Sequence, residues 1–270
     1  ISVFDIFKIG IGPSSSHTMG PWRAAQRFTE HLRTGGSLER VLGLRIELYG
    51  SLAKTGKGHG TDLAVLLGLD GHDPVTIPVE QVQTAFERIG REKNICLGGQ
   101  RTVPFDPEVD LVFHYNESLP FHANGLAFSA FFEDGSGERQ VYYSVGGGFV
   151  VQAGDTGQSA NTVLPHPIDR GEELEHWCRQ GNRPVWQVVL ENERVWRSDP
   201  QIREGLLTIW EVMKQCIFQG AHTDGILPGG LGVSRRAFKI NDKLLAGRHC
   251  QTADEWIYHI RRNARTFQEV

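Results

Sequence analysis

Apolar and polar positions follow two different periods along the first 150 or so residues. Residues 21–32 set Trp22, Ala25, Phe28 and Leu32 three or four positions apart, the spacing of a helix with one buried face. Residues 43–49 (GLRIELY) alternate with period two and predict a strand. Residues 59–69 predict a second helix with Leu63, Leu66 and Leu67 inward, and 81–92 a third. Residues 110–115 predict another strand. Residues 126–132 and 140–151 predict an antiparallel pair joined through Asp134-Gly135-Ser136-Gly137. Helices mixed with alternating strands predict an α+β domain over 1–153. Residues 154–168 are rich in Gly, Ser, Thr, Asn and Pro and predict a linker. From 169 to 270 the texture is helical, with helix-period segments at 172–179, 185–196, 201–219 and 252–265. Asp169, Ser198 or Asp199, and Thr252 are the candidate N-caps. The last helical pattern runs to the end of the sequence without a C-cap.

The 270 residues suffice for one large domain or two modest ones. A hydrophobic share of 39% and a charged share of 22% are ordinary for a globular chain. The formal charge of −4, with no long basic run, argues against nucleic-acid binding. No apolar stretch approaches a membrane span, and no export-signal pattern opens the chain, so a cytoplasmic protein is expected. The four cysteines, Cys96, Cys178, Cys216 and Cys250, show no CxxC, no ferredoxin spacing and no compact disulfide framework. They read as buried free thiols in a reducing compartment. His31, His72, His114, His166, His176, His222, His249 and His259 are scattered without HxH or HExxH spacing. No zinc site is implied, and no metal ligand is assigned to this chain.

Candidate chemistry concentrates in short polar segments. Gly12-Pro13-Ser14-Ser15-Ser16-His17-Thr18 follows an apolar segment (Ile1, Val3, Phe4, Ile6, Phe7) and precedes the first helical pattern. Free N–H groups at a helix start, with serine hydroxyls beside them, suit a carboxylate or phosphate. The alternative is a plain N-cap in a polar turn. Lys54-Thr55-Gly56-Lys57-Gly58-His59-Gly60-Thr61-Asp62 combines glycines with two lysines but lacks the GK[ST] ending of a phosphate loop. It reads as a flexible Gly-rich turn, or as a loop offering His59 as general acid or base. Asp62 would then orient His59 or cap the following helix. His122-Ala123-Asn124-Gly125 is a turn with or without a substrate contact. Tyr142 to Phe149 (YYSVGGGF) reads as a strand interrupted by a bulge. Residues 224–232 with Arg235 and Arg236 would bind an anion or dock two domains.

GIGPSSSHT (10–18), YGSLAKTGKGHGTD (49–62), HANG (122–125), YYSVGGGF (142–149) and GILPGGLGVSRRA (225–237) occur in one order through nearly the whole chain. In that series the chain resembles the bacterial iron–sulfur L-serine dehydratases. The resemblance implies an N-terminal α+β domain similar to the allosteric substrate-binding domain of some phosphoglycerate dehydrogenases. That domain would pack on a helical catalytic domain carrying a [4Fe–4S] cluster. The family's cluster cysteines lie beyond anything matching the end of this sequence, so the chain resembles the N-terminal part of a longer enzyme and its cluster ligands are absent here. The isolated chain is expected to hold no iron. The implied reaction removes water from L-serine and then releases ammonia, leaving pyruvate. Carried over by resemblance, Ser14, Ser15, Ser16 and Thr18 hold the substrate carboxylate and His59 is the base. His17, His122 and Asn124 contact substrate or orient the reacting groups. No pyridoxal phosphate is expected. L-serine, a second copy of the chain in a homodimer, and the cluster-bearing catalytic domain are the expected partners, with no nucleic acid and no membrane. Gly12 to Thr18 and Lys57 to Asp62 are expected to converge on one polar cleft. Two further readings stay open: a regulatory module that binds a small carboxylate without chemistry, and a docking subunit for a separate cluster-bearing chain.

Overall fold

The computed structural model describes residues 2–155, 162–227, 232–245 and 247–262. The chain divides into two compact units, one of Asp5–Asn161 and one of Ile1–Phe4 with Thr162–Val270.

A single turn, α1 (Val3–Ile6), comes first. A π-helical turn at Ser15–Met19 then runs directly into α2 (Gly20–Thr34). Pro21 sits in the first turn of α2, where its missing N–H breaks no helical bond. Next come β1 (Val41–Tyr49), α3 (Gly50–His59), α4 (Thr61–Leu69) and α5 (Val79–Glu92). A small hairpin follows, β2 (Asn94–Leu97) and β3 (Arg101–Pro104), then the one-turn α6 (Pro107–Asp110) and β4 (Leu111–His114). The first unit closes with β5 (Gly125–Phe132), β6 (Gly137–Gly146) and β7 (Phe149–Gln152).

The main sheet has the order β4-β1-β5-β6-β7. β4 runs parallel to β1, and the other neighbours are antiparallel. Alternation along β1 sends Ile46 and Leu48 into the core and Glu47 to the other face. Trp22, Ala25, Phe28 and Leu32 of α2 are fully buried, as their spacing predicts. Phe28 stacks on Phe128 of β5 with ring centroids 5.2 Å apart, and the Trp22 indole N–H donates to the His72 carbonyl at 2.9 Å. Leu66, Leu67 and Leu69 of α4 complete this core.

The structure departs from the sequence expectations in three places here. The Gly-rich stretch at 54–62 is mostly helix: α3 continues to His59, and Gly60, at φ 66°, ends it in the left-handed conformation before α4 begins. The segment expected as one bulged strand at 140–151 is a hairpin, in which Gly147 and Gly148 reverse the chain between β6 and β7, and the expected irregularity is present as a register shift between Ser144 and Gly146. The β2–β3 hairpin was not expected at all.

The second unit carries α7 (Gly171–Gly181), α8 (Val185–Glu193), α9 (Asp199–His222), α10 (Ala237–Leu245) and α11 (Ala253–Arg262). Ser198 caps α9 and pairs with Gln201, whereas α7 is capped at Arg170 in place of the expected Asp169. Ala221, Leu245, Cys250 and Trp256 form a small core, and the Trp256 indole donates to Asn241 at 2.7 Å. Near the N-terminus, Ser2 and the Val3 N–H both donate to the buried Glu193 carboxylate of this unit. Residues 226 and 234 pair across the 225–237 motif; positions 228–231 within it lie outside the described residues, as does the expected uncapped end at 263–270. All four cysteines are free; Cys250 is buried, Cys96 and Cys178 are half-buried and Cys216 is exposed, contrary to the expectation of burial for every thiol. Among the described residues no helix is long and apolar enough to cross a membrane.

Candidate active site

The turn that opens α2 is shaped by its own serines. Ser14 is extended, and its hydroxyl accepts from the His17 N–H at 3.1 Å. The chain therefore enters the helix through a wide π turn, a form common where backbone geometry serves a site. That turn sets the His17 ring between two hydroxyls. Ser16 Oγ lies 2.9 Å from Nδ1, and Ser51 Oγ, in the first turn of α3, lies 2.9 Å from Nε2. Ser15 is exposed, and among the described residues its hydroxyl has no partner.

The expected convergence is present within the Asp5–Asn161 unit. Thr18 Oγ1 donates to the His59 carbonyl at 2.8 Å, and Thr61 Oγ1 donates to the His17 carbonyl. These reciprocal bonds tie the α2 entry to the α3–α4 junction, and the His17 and His59 rings stand 5.0 Å apart. His59 Nδ1 lies 2.9 Å from the Thr55 carbonyl. A carbonyl only accepts, so Nδ1 carries the proton and the neutral ring keeps its lone pair at Nε2. Asp62 does not orient His59. Its carboxylate accepts from the Leu63 N–H at the start of α4, and burial pushes its pKa up.

The 122–125 turn joins the same constellation through the backbone. His122 Nδ1 accepts from the Asn124 N–H at 3.1 Å, and the Asn124 amide donates to the Ser144 carbonyl at 3.1 Å. Ser144 Oγ in turn donates to the Ser16 carbonyl at 2.7 Å. The Ser51 N–H donates to the Ala123 carbonyl at 2.9 Å. Ser51, Thr61 and Ser144 therefore brace the site; all three lie inside the sequence motifs at 49–62 and 142–149, where nothing local marks out Thr61 or Ser144. The signal for Ser51 was available: a hydroxyl just after a strand-ending Tyr49-Gly50, where a helix begins.

Burial, and then the neighbouring His59, push the His17 pKa below the ordinary histidine value. Protonating His17 is thus harder in the folded chain than in the unfolded one. This group's contribution to stability is present above about pH 6.5 and is lost as pH falls below it. In an NMR titration the His17 ring is expected to show a midpoint below the ordinary value. His59→Gln should raise that midpoint, and an unchanged midpoint would mean that the two rings do not interact.

The cysteines fit no iron–sulfur cluster. Cys96 is on β2, Cys178 on α7 and Cys216 on α9, and the grouping of metal-ligating side chains found among the described residues contains one cysteine, Cys250. A four-iron cluster takes several thiolates converging on one point.

Comparison with known proteins gives a consistent result. The family model for the serine dehydratase beta chain matches residues 2–155. The L-serine dehydratase of Streptomyces coelicolor is 47% identical over 263 residues, covering 95% of this chain and 58% of that protein. L-serine dehydratase 1 of Escherichia coli is 38% identical over 249 residues, covering 91% and 55%. The L-serine dehydratase of Haemophilus influenzae is 38% identical over 250 residues, again covering 91% and 55%. The chain thus spans a little more than half the length of the curated relatives it matches.

Proposed function

The chain belongs to the serine dehydratase beta-chain family, and from that membership we propose that it forms the substrate-facing part of an L-serine dehydratase. The reaction would remove water from L-serine and then release ammonia to leave pyruvate. The observation that carries this reading is the tie between the Ser14–Thr18 turn and His59, which puts a helix start beside an imidazole whose lone pair is at Nε2.

Each residue then has a part. Ser15, exposed and unengaged, donates to the substrate carboxylate, helped by the positive end of α2. Ser14 and Ser16 are committed to the turn and to the His17 ring, so their part is to hold that shape. Thr18 is buried and spends its hydroxyl on His59, which makes it a positioning residue on this reading. His59 Nε2 takes the α-proton, while its Nδ1–H stays on Thr55 and fixes the ring. His17 and Asn124 orient the reacting groups, and His122 holds the Asn124 backbone.

The family resemblance assigns Lewis-acid help for the departing hydroxyl to a [4Fe–4S] cluster. The thiols of this chain do not fit one, so this reading places that group in a further catalytic domain and routes no step through it. An exposed apolar stripe along α9, Leu206, Leu207, Trp210, Met213 and Ile217, offers a face for such a domain. On the same reading the Asp5–Asn161 unit corresponds to the phosphoglycerate-dehydrogenase-like domain, and the enzyme is a cytoplasmic homodimer. The regulatory alternative is less favoured, because the relatives are named as L-serine dehydratases.

The test is pyruvate formation. The gene product that contains this chain, purified without oxygen, is expected to convert L-serine to pyruvate. Its Ser15→Ala variant should raise KM about ten- to a hundredfold, the worth of one hydrogen bond to a charged group, with a smaller change in kcat. A product with a full complement of iron and no pyruvate formation would overturn the reading in favour of a carboxylate sensor.

A further inference from the structure

The second unit gathers a thiol, a carboxylate and an imidazole that the reaction above does not use. Cys250 is 7% exposed and sits three residues before α11. Thr252 accepts from the Glu255 N–H and so caps that helix. Glu255 and His259 lie four apart on α11 and share a face. One ligand atom from each of Cys250, Glu255 and His259 lies within 4.8 Å of the other two.

We propose that Cys250, Glu255 and His259 bind a single divalent cation, Zn²⁺ by preference, with the fourth coordination position open to water. The donor set selects the metal. A thiolate with an imidazole and one carboxylate oxygen suits Zn²⁺ and is foreign to Mg²⁺ and Ca²⁺. Donor atoms around tetrahedral Zn²⁺ stand about 3.5 Å apart, so the donors, now within 4.8 Å of one another, would draw closer on binding. The Gln251 N–H holds one Glu255 oxygen at 2.9 Å and leaves the other for the metal. Arg248 is the competitor: its guanidinium donates to His259 Nδ1 at 2.7 Å and occupies a ring lone pair while no cation is bound. Binding would exchange that bond for a metal bond and staple the turn before α11 to the helix. The spacing Cys-x4-Glu-x3-His matches neither HxH nor HExxH, which is why the sequence patterns gave no metal ligand.

The test is titration of the purified chain with Co²⁺ and Zn²⁺, and it does not depend on enzyme activity. The expected result is one cation per chain, with a thiolate-to-Co²⁺ charge-transfer absorption. Cys250→Ser should abolish that absorption, and His259→Ala should weaken Zn²⁺ binding by at least about tenfold. Arg248→Ala should tighten binding, because it removes the competitor. Cys216→Ser, at an exposed thiol that is not part of the Cys250–Glu255–His259 grouping, should change nothing. A folded chain without the charge-transfer absorption, or an absorption that survives Cys250→Ser, would overturn the proposal. If Cys250→Ser fails to fold, unchanged Zn²⁺ affinity in both His259→Ala and Arg248→Ala would overturn it equally.

Discussion

In the gene product that carries this chain, His59→Ala is expected to lower kcat for L-serine by about a hundred- to ten-thousandfold, with a much smaller change in KM. The geometry argues for that split. The Thr55 carbonyl fixes the proton on Nδ1, so the only lone pair of the neutral ring is at Nε2. Thr18 holds the His59 backbone through its carbonyl, so a truncated side chain leaves the junction in place. The carboxylate contacts assigned to Ser15 are untouched, and ground-state affinity should survive. His17 is a poorer candidate for the base, because both of its ring nitrogens are engaged by hydroxyls. Steady-state kinetics with L-serine and α-deuterated L-serine, on a variant whose metal content matches that of the unsubstituted protein, would decide. Near-normal turnover in His59→Ala would end the assignment and move the search to His17 and His122. A larger isotope effect in the variant, with kcat lowered, would place the loss in proton removal.

The segments that meet at the candidate site are legible in the sequence because each is short and local. The Ser14–Thr18 turn and His59 were each visible as polar residues beside a helix boundary. What sequence reading lacked was the bracing across the fold. Ser144 reaches Ser16 from 128 positions away, and Ser51 reaches His17 from 34 positions away. No local pattern encodes either contact. Local sequence does not reveal α3. Residues 54–60 carry three glycines, whose intrinsic preference opposes a helix. Tertiary packing overrides it: Leu52 and Ala53 are buried in the core, and Gly56 lets Thr61 approach to where an added Cβ would sit 3.0 Å from it. The β6–β7 reversal is hidden for the opposite reason. Apolar residues flank three glycines on both sides, and period-two alternation does not reveal where a strand doubles back.

Gly50→Ala is expected to destabilise the Asp5–Asn161 unit by about 2–5 kcal/mol and to damage the site along with it. Gly50 begins α3 at φ 53°, in the left-handed region that a side chain resists. A Cβ there would also lie 2.3 Å from the Ala123 carbonyl oxygen and 3.1 Å from Ser118 Oγ. The first of these is backbone and has no rotamer to escape into. Ala123 lies between His122 and Asn124, and its carbonyl accepts from the Ser51 N–H at 2.9 Å. The Gly50 N–H is itself bonded to the Glu117 carbonyl at 2.8 Å, so the helix start cannot simply retreat. One added methyl group therefore pushes apart the 122–124 turn and the residue that holds His17. Displacements of that size cost about a hundredfold in rate even where every catalytic group remains. Gly43→Ala on β1 is the control: its nearest neighbour would be a Phe131 ring carbon at 4.0 Å, and its stability should change by less than about 1 kcal/mol. Urea unfolding of the two variants gives the comparison, with Gly50→Ala expected to lower the midpoint by roughly 1 M or more. Equal midpoints would mean that the 122–124 turn yields to the methyl group. The coupling between that turn and α3 would then be too loose to position His17.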